Sequence, residues 1–148
     1  GSRKPRRPDK EDGIRRSQRL LLTWLIETPA LFEKIEGVIT ADDFVEDLYH
    51  QVAQMVFDGH REGNLNPAAI LSRFINDEDQ YKEVAALFNA SLKESLNNEE
   101  QKKAFSETVM KVRKNSLDVA SRNAKDITQL QEIIRQQAAL KQLHISLD

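Results

Sequence analysis

Residues 98–126 read NEEQKKAFSETVMKVRKNSLDVASRNAKD, and the fold turns on this stretch. From Asn98 to Lys125 it holds neither Gly nor Pro, and Phe105, Val109, Val112, Ser116 and Val119 recur at steps of three and four residues. That is the period of one face of a helix. At 1.5 Å per residue the helix would be about 40 Å long, enough to project beyond a compact bundle. Asn123 to Asp126 offers a break, with Asp126 as the N-cap of a final helix bearing Leu130, Ile133, Ile134, Ala138, Leu140 and Leu143. A long helix joined by a short link to a second one makes an antiparallel hairpin. Such a hairpin has few partners of its own and leaves apolar positions uncovered, as a docking element does. Self-packing of the same stripe is the competing reading. The five glutamines between Gln129 and Gln142 read as its polar face.

Working back toward the N-terminus, the pattern stays helical. A first helix is expected from Gly13 to Glu27, where Ile14, Leu21, Leu22, Trp24, Leu25 and Ile26 make an apolar surface wide enough to require enclosure. Thr28-Pro29 and Asn66-Pro67 each pair a capping residue with a proline at the first helical position. The first opens a short helix with Leu31, Phe32 and Ile35, ending near Gly37. Thr40 is expected to cap a turn through Asp42 and Asp43 into a third helix carrying Phe44, Leu48, Val52, Met55 and Val56, stopped at Gly59 or Gly63. Pro67 opens a fourth with Ile70, Leu71, Phe74 and Ile75. Asp77 caps a fifth with Tyr81, Val84, Leu87, Phe88 and Leu92 inward. The aromatic residues Trp24, Phe44, Phe57, Phe74 and Phe88 read as core. No stretch alternates as a strand would between hairpin turns. The fold class is all-α: a multi-helix bundle followed by a C-terminal helical hairpin.

Three segments are expected: a tag scar and basic linker over 1–13, a bundle over 14–115, and the hairpin over 116–148. The opening Gly1-Ser2 reads as the scar of a removed tag, which makes the chain a piece of a longer protein. The net charge of −2 hides an asymmetry. Residues 3–16 hold seven Lys/Arg against three acids, so the rest of the chain is acidic. The basic segment has Pro5 and Pro8 and no aromatic residue for base stacking, which fits a solvated linker. An acidic body repels phosphate backbones, so no direct nucleic-acid binding is expected of it. No apolar run reaches the ~20 residues of a membrane span, and no membrane partner is expected. The absence of cysteine rules out disulfides and thiolate chemistry and suits a cytoplasmic protein.

Chemistry is hard to find. His50 and His60 lie ten residues apart on one expected helix, too far to share a metal, and no HExxH pattern occurs. Asp42/Asp43 and Glu99/Glu100 are adjacent and diverge, and each sits where a helix N-terminus favours negative charge. There is no GxSxG elbow and no phosphate-binding glycine loop. The expectation is a non-catalytic domain without metal or cofactor.

Four stretches carry a resemblance: RLLLTWLIETPALF at 19–32, ITADDF at 39–44, LYHQVAQMVF at 48–57 and LNPAAIL at 65–71. Together with the long helix and terminal hairpin they resemble the C-terminal domain of bacterial DnaG-type primases over residues 14–148. The resemblance implies a bundle followed by a hairpin that docks on the N-terminal domains of the hexameric DnaB-type replicative helicase, recruiting primase to the fork. Carried over by position, the docking residues would be Ile134, Gln137, Leu140, Lys141 and His144, with Leu130 and Leu143 holding the hairpin together. The N-terminal domain of the helicase itself is similar over 42–57 and is the alternative identity. The basic, proline-bearing start and the ending soon after the hairpin favour primase. An unrelated helical nucleic-acid-binding module is a further alternative.

Overall fold

In the computed structural model, which describes residues 8–89 and 97–143, the wide apolar sweep near the N-terminus becomes the centre of the molecule. It lies on α1 (Pro8–Glu27), where Leu21, Leu22, Trp24 and Leu25 are buried. The helix starts five residues before the expected Gly13, inside the segment read as linker. Proline at a first helical position costs no hydrogen bond. Hydroxyls on its buried face bond back along the helix, Ser17 to the Gly13 carbonyl (2.9 Å) and Thr23 to the Arg19 carbonyl (3.0 Å).

Pro29–Lys34 is a 3-10 helix rather than an α-helix, and the Thr28 side chain does not cap it. That hydroxyl is buried without a hydrogen-bond partner. The chain reverses at Gly37 (φ +81°). Thr40 and Asp43 then form a reciprocal capping box around the short 3-10 turn Ala41–Asp43. Phe44 is therefore not part of the next helix. It adopts an extended conformation and enters the core separately. The side-chain oxygen of Gln18 accepts a hydrogen bond from the Glu46 N–H (3.0 Å), which ties this extended stretch to α1.

The second helix, α2 (Asp47–Arg61), buries Leu48, Tyr49, Val52, Ala53 and Val56. Gly59 lies inside it, and a Cβ there would stand 3.1 Å from the Leu65 Cα, so this glycine permits a close approach. Gly63, at φ +71°, makes the turn that follows. Next come α3 (Pro67–Ser72), capped by Asn66 through the Ala68 and Ala69 N–H groups, and α4 (Glu78–Asn89), where Asp77 accepts from the Gln80 N–H. Two positions expected inside are not. Ile75 is exposed because α3 ends at Ser72 and breaks the periodicity, and Tyr81 lies on the outer side of α4. Leu92 lies outside the described residues.

The long stretch forms α5 (Asn98–Arg122), a single helix of 25 residues opened by an Asn97/Glu100 capping box. Phe105, Val109 and Val112 join the core, and Phe105 meets Trp24 edge-on (ring centroids 6.0 Å apart), locking α5 to α1. Asp126 caps α6 (Ile127–Leu140) through the Gln129 N–H (2.8 Å). Among the described residues the architecture is six α-helices and two 3-10 turns without strands. This is the all-α bundle with a terminal two-helix element that the hydrophobic pattern predicts. No helix among them is long and apolar enough to cross a membrane.

Candidate partner-binding surface

α6 differs from every other long helix in having no buried residue. Leu130, Ile133, Leu140 and Leu143 are half-buried on its α5-facing side, whereas Ile127 (69%) and Ile134 (52%) stand exposed. The expected docking set is thereby split between two faces. At 3.6 residues per turn, Lys141 points within about 20° of Ile134, while Leu140 is about 120° away. Ile134 belongs to the outer face, Gln137 and Leu140 line a groove between the two helices, and Lys141 stands where the groove rim meets that face. Leu140 therefore does not share a face with Ile134. Leu130 and Leu143, expected to hold the hairpin together, are half-buried. His144 lies outside the described residues. Ile127 was missed, although its i, i+7 relation to Ile134 places both on one stripe.

The groove has a volume of about 400 Å³ and is lined by Met110, Lys111, Lys114, Asp118, Gln137, Leu140 and Lys141. Met110 and Leu140 form an apolar floor. Asp118 accepts from Gln137 Nε2 (3.1 Å) through one oxygen and pairs with Lys114 Nζ (3.1 Å) through the other. Both carboxylate oxygens are thus engaged, and the Asp118 charge is offset within the groove.

Arg113 links the hairpin to the bundle. One guanidinium nitrogen bonds the Asp43 carboxylate (2.7 Å), which is buried in the bundle, and the other bonds Gln136 of α6 (3.0 Å). The second Asp43 oxygen takes the Thr40 N–H (2.8 Å), so the capping carboxylate is satisfied on both sides. Gln136, expected only as part of a polar face, is the hairpin's contribution to this bridge.

A second polar cluster joins α1, α2 and α4. The Glu83 carboxylate accepts hydrogen bonds from Arg15 and from the Tyr49 hydroxyl (2.5 Å), and Arg15 lies 5.2 Å over the Tyr49 ring. Burial, reinforced by the bond to Glu83, pushes the Tyr49 hydroxyl up to about 12. Burial alone would raise Glu83, but the bonds from Tyr49 and Arg15 outweigh it and hold the carboxyl below its ordinary value. Every member has a partner, which is what a structural brace requires. His50 Nδ1 contacts the Ala41 carbonyl (3.0 Å), and His60 stacks on Phe32 (4.0 Å between ring centroids). Among the described residues no cluster of three or more His, Asp or Glu could hold a metal ion.

No known protein family, curated protein or solved structure matches this chain. The candidate surface accordingly rests on its own geometry: a hairpin carrying exposed isoleucines on one side and an apolar groove on the other.

Proposed function

We propose that the chain is a non-catalytic helicase-binding domain of a DnaG-type primase, which docks primase onto the hexameric DnaB-type replicative helicase in the cytoplasm. The observation that carries this reading is α6. A 14-residue helix with no buried residue, but with Ile127 and Ile134 exposed, contributes little to the core and presents apolar area to solvent. The four sequence stretches similar to the primase domain supply the partner's identity. The bundle's role in this reading is to hold α5 by Phe105, Val109 and Val112 and so to present the hairpin at a fixed place.

Gel filtration and calorimetry with the cognate helicase hexamer test the proposal. The full chain is expected to form a complex, and a chain lacking residues 126–148 is expected to lose it. Removing α6 takes away no buried side chain, so the fluorescence of Trp24 should still report a folded bundle. Undiminished helicase binding by the truncated chain would sink the assignment of the hairpin as the docking element. Binding to single-stranded DNA by the folded body, in place of helicase, would favour a nucleic-acid module instead.

A further inference from the structure

The groove between α5 and α6 has a chemical character that the outer isoleucine stripe lacks. Its floor is Met110 and Leu140, and three lysines stand on its rim: Lys111 and Lys114 from α5, and Lys141 from the end of α6. Lys114 is committed to Asp118, the one acidic residue lining the groove. Lys111 and Lys141 are exposed and make no ion pair among the described residues. Arg122 adds a further cation where Lys111 and Lys114 border the neighbouring groove between α1 and α5. An apolar floor under a positive rim fits an occupant that is apolar on one side and acidic along its edges.

The backbone narrows the occupant further. The groove is lined by side chains of two helices whose backbone groups bond within the helices, so it offers no ladder of free N–H and C=O groups to an extended peptide. A helix brings its own backbone bonds satisfied and needs only apolar anchors, and the unbranched Met110 can adapt to their shape. From these features we infer that the α5–α6 groove receives an amphipathic helix of a partner protein, with apolar residues at i, i+4 and i+7 flanked by glutamate or aspartate. The inference rests on the docking reading above and identifies the chemistry of the helicase segment that enters the groove.

The test uses the full chain with methyl-labelled methionine. The chain has two methionines, so Met110 in the groove reports binding and Met55 on α2 serves as the internal reference. One probe is a synthetic helical peptide with leucines at i, i+4 and i+7 and flanking glutamates; a second carries lysines in place of the glutamates. The acidic peptide is expected to move the Met110 methyl and leave Met55 in place. Its affinity should fall at least about tenfold in Lys111→Glu/Lys141→Glu and weaken as salt is raised. The lysine peptide should bind at least about tenfold more weakly than the acidic one. An unmoved Met110, equal binding of the two peptides, or a Met110 shift produced by an oligonucleotide but not by the acidic peptide overturns the inference. A third arm adds the helicase hexamer. Helicase binding that moves Met110 and is displaced by the acidic peptide supports both the groove and the docking reading. Peptide binding without helicase binding supports the groove and removes the docking reading. Helicase binding that neither moves Met110 nor is displaced overturns the groove while the docking reading stands.

Discussion

Replacing Arg113 by Met should destabilise the whole domain, not only the hairpin. Methionine keeps most of the aliphatic volume and removes the charge, leaving the buried Asp43 carboxylate with the Thr40 N–H as its remaining partner. Breaking a fully buried pair costs about 3–5 kcal/mol. The Arg113 side chain is 25% exposed, so water can partly take its place, and about 2–3 kcal/mol is the expected loss. For a domain of this size that lowers Tm by roughly 5–10 °C. Gln136→Ala, which removes only the outer bond, should cost under about 1 kcal/mol. The decisive measurement is a double-mutant cycle of Arg113→Met with Asp43→Asn, by urea unfolding followed through Trp24, the single tryptophan and itself in the core. Asparagine can still accept from Thr40, so the cycle isolates the charge interaction, and a coupling of about 1.5–2 kcal/mol is expected. A coupling below about 0.5 kcal/mol would refute the reasoning that this bridge fastens α5 to the bundle.

The Tyr49–Glu83–Arg15 brace predicts a dependence on pH at both ends. Tyr49 is raised in the folded state from 10.0 to about 12, so its contribution is complete below pH 10 and is lost as the pH rises to 12. That loss is of order 2–3 kcal/mol, and urea titrations of Tyr49→Phe should lack it; an identical alkaline decline in that variant would exclude Tyr49 as its source. Glu83 is held low, so its contribution is present above the ordinary carboxylate range and disappears as the pH falls through its depressed value, a decline that Glu83→Gln should flatten. Gly63→Ala should cost about 1 kcal/mol in thermal melts, since φ is +71° and nothing stands near the added Cβ, and Gly63→Asn should cost less. Leu117→Ala, at a site 3% exposed, should lower stability by about 2–3 kcal/mol, against less than about 0.5 for Ile134→Ala; equal losses would mean that α6 is more enclosed than its exposure indicates.

Capping side chains were legible where they act within three residues of themselves, and Asn66, Asp77 and Asp126 each bond the N–H groups that local chemistry requires. Other starts were not: α1 begins before Gly13, Thr28 does not cap, and α2 begins only at Asp47. Facing was harder to read. Leu117 lies about 80° around α5 from the Val109 stripe, and it is buried because two helices flank α5 at that level. Its neighbour Asp118 bonds Gln137 of α6 while bordering a groove shared with Gly13 and Ser17 of α1. Long-range neighbours of this kind leave no periodic trace. Leu140 was named for docking by position alone, which says nothing of facing, and its angle around α6 places it in the groove with Met110 and away from Ile134. The Arg113 bridge joins residues 70 and 23 positions apart, and nothing in the local sequence marks either partner.

The boundary expected between residues 115 and 116 falls inside α5, about two turns before its end, and the helix runs unbroken across it. Bundle and hairpin are therefore not exchangeable cassettes. A protease needs an unfolded strand to cut, and a recombination event needs a joint that tolerates a new register, and α5 supplies neither at that point. A graft of this hairpin onto another bundle would have to carry α5 with it, together with the helical phase that sets which way α6 faces. An insertion of one residue upstream of Arg113 would turn everything beyond it by about 100°. Natural variation in the length of this domain is accordingly expected in the loops on either side of α5, and not within it.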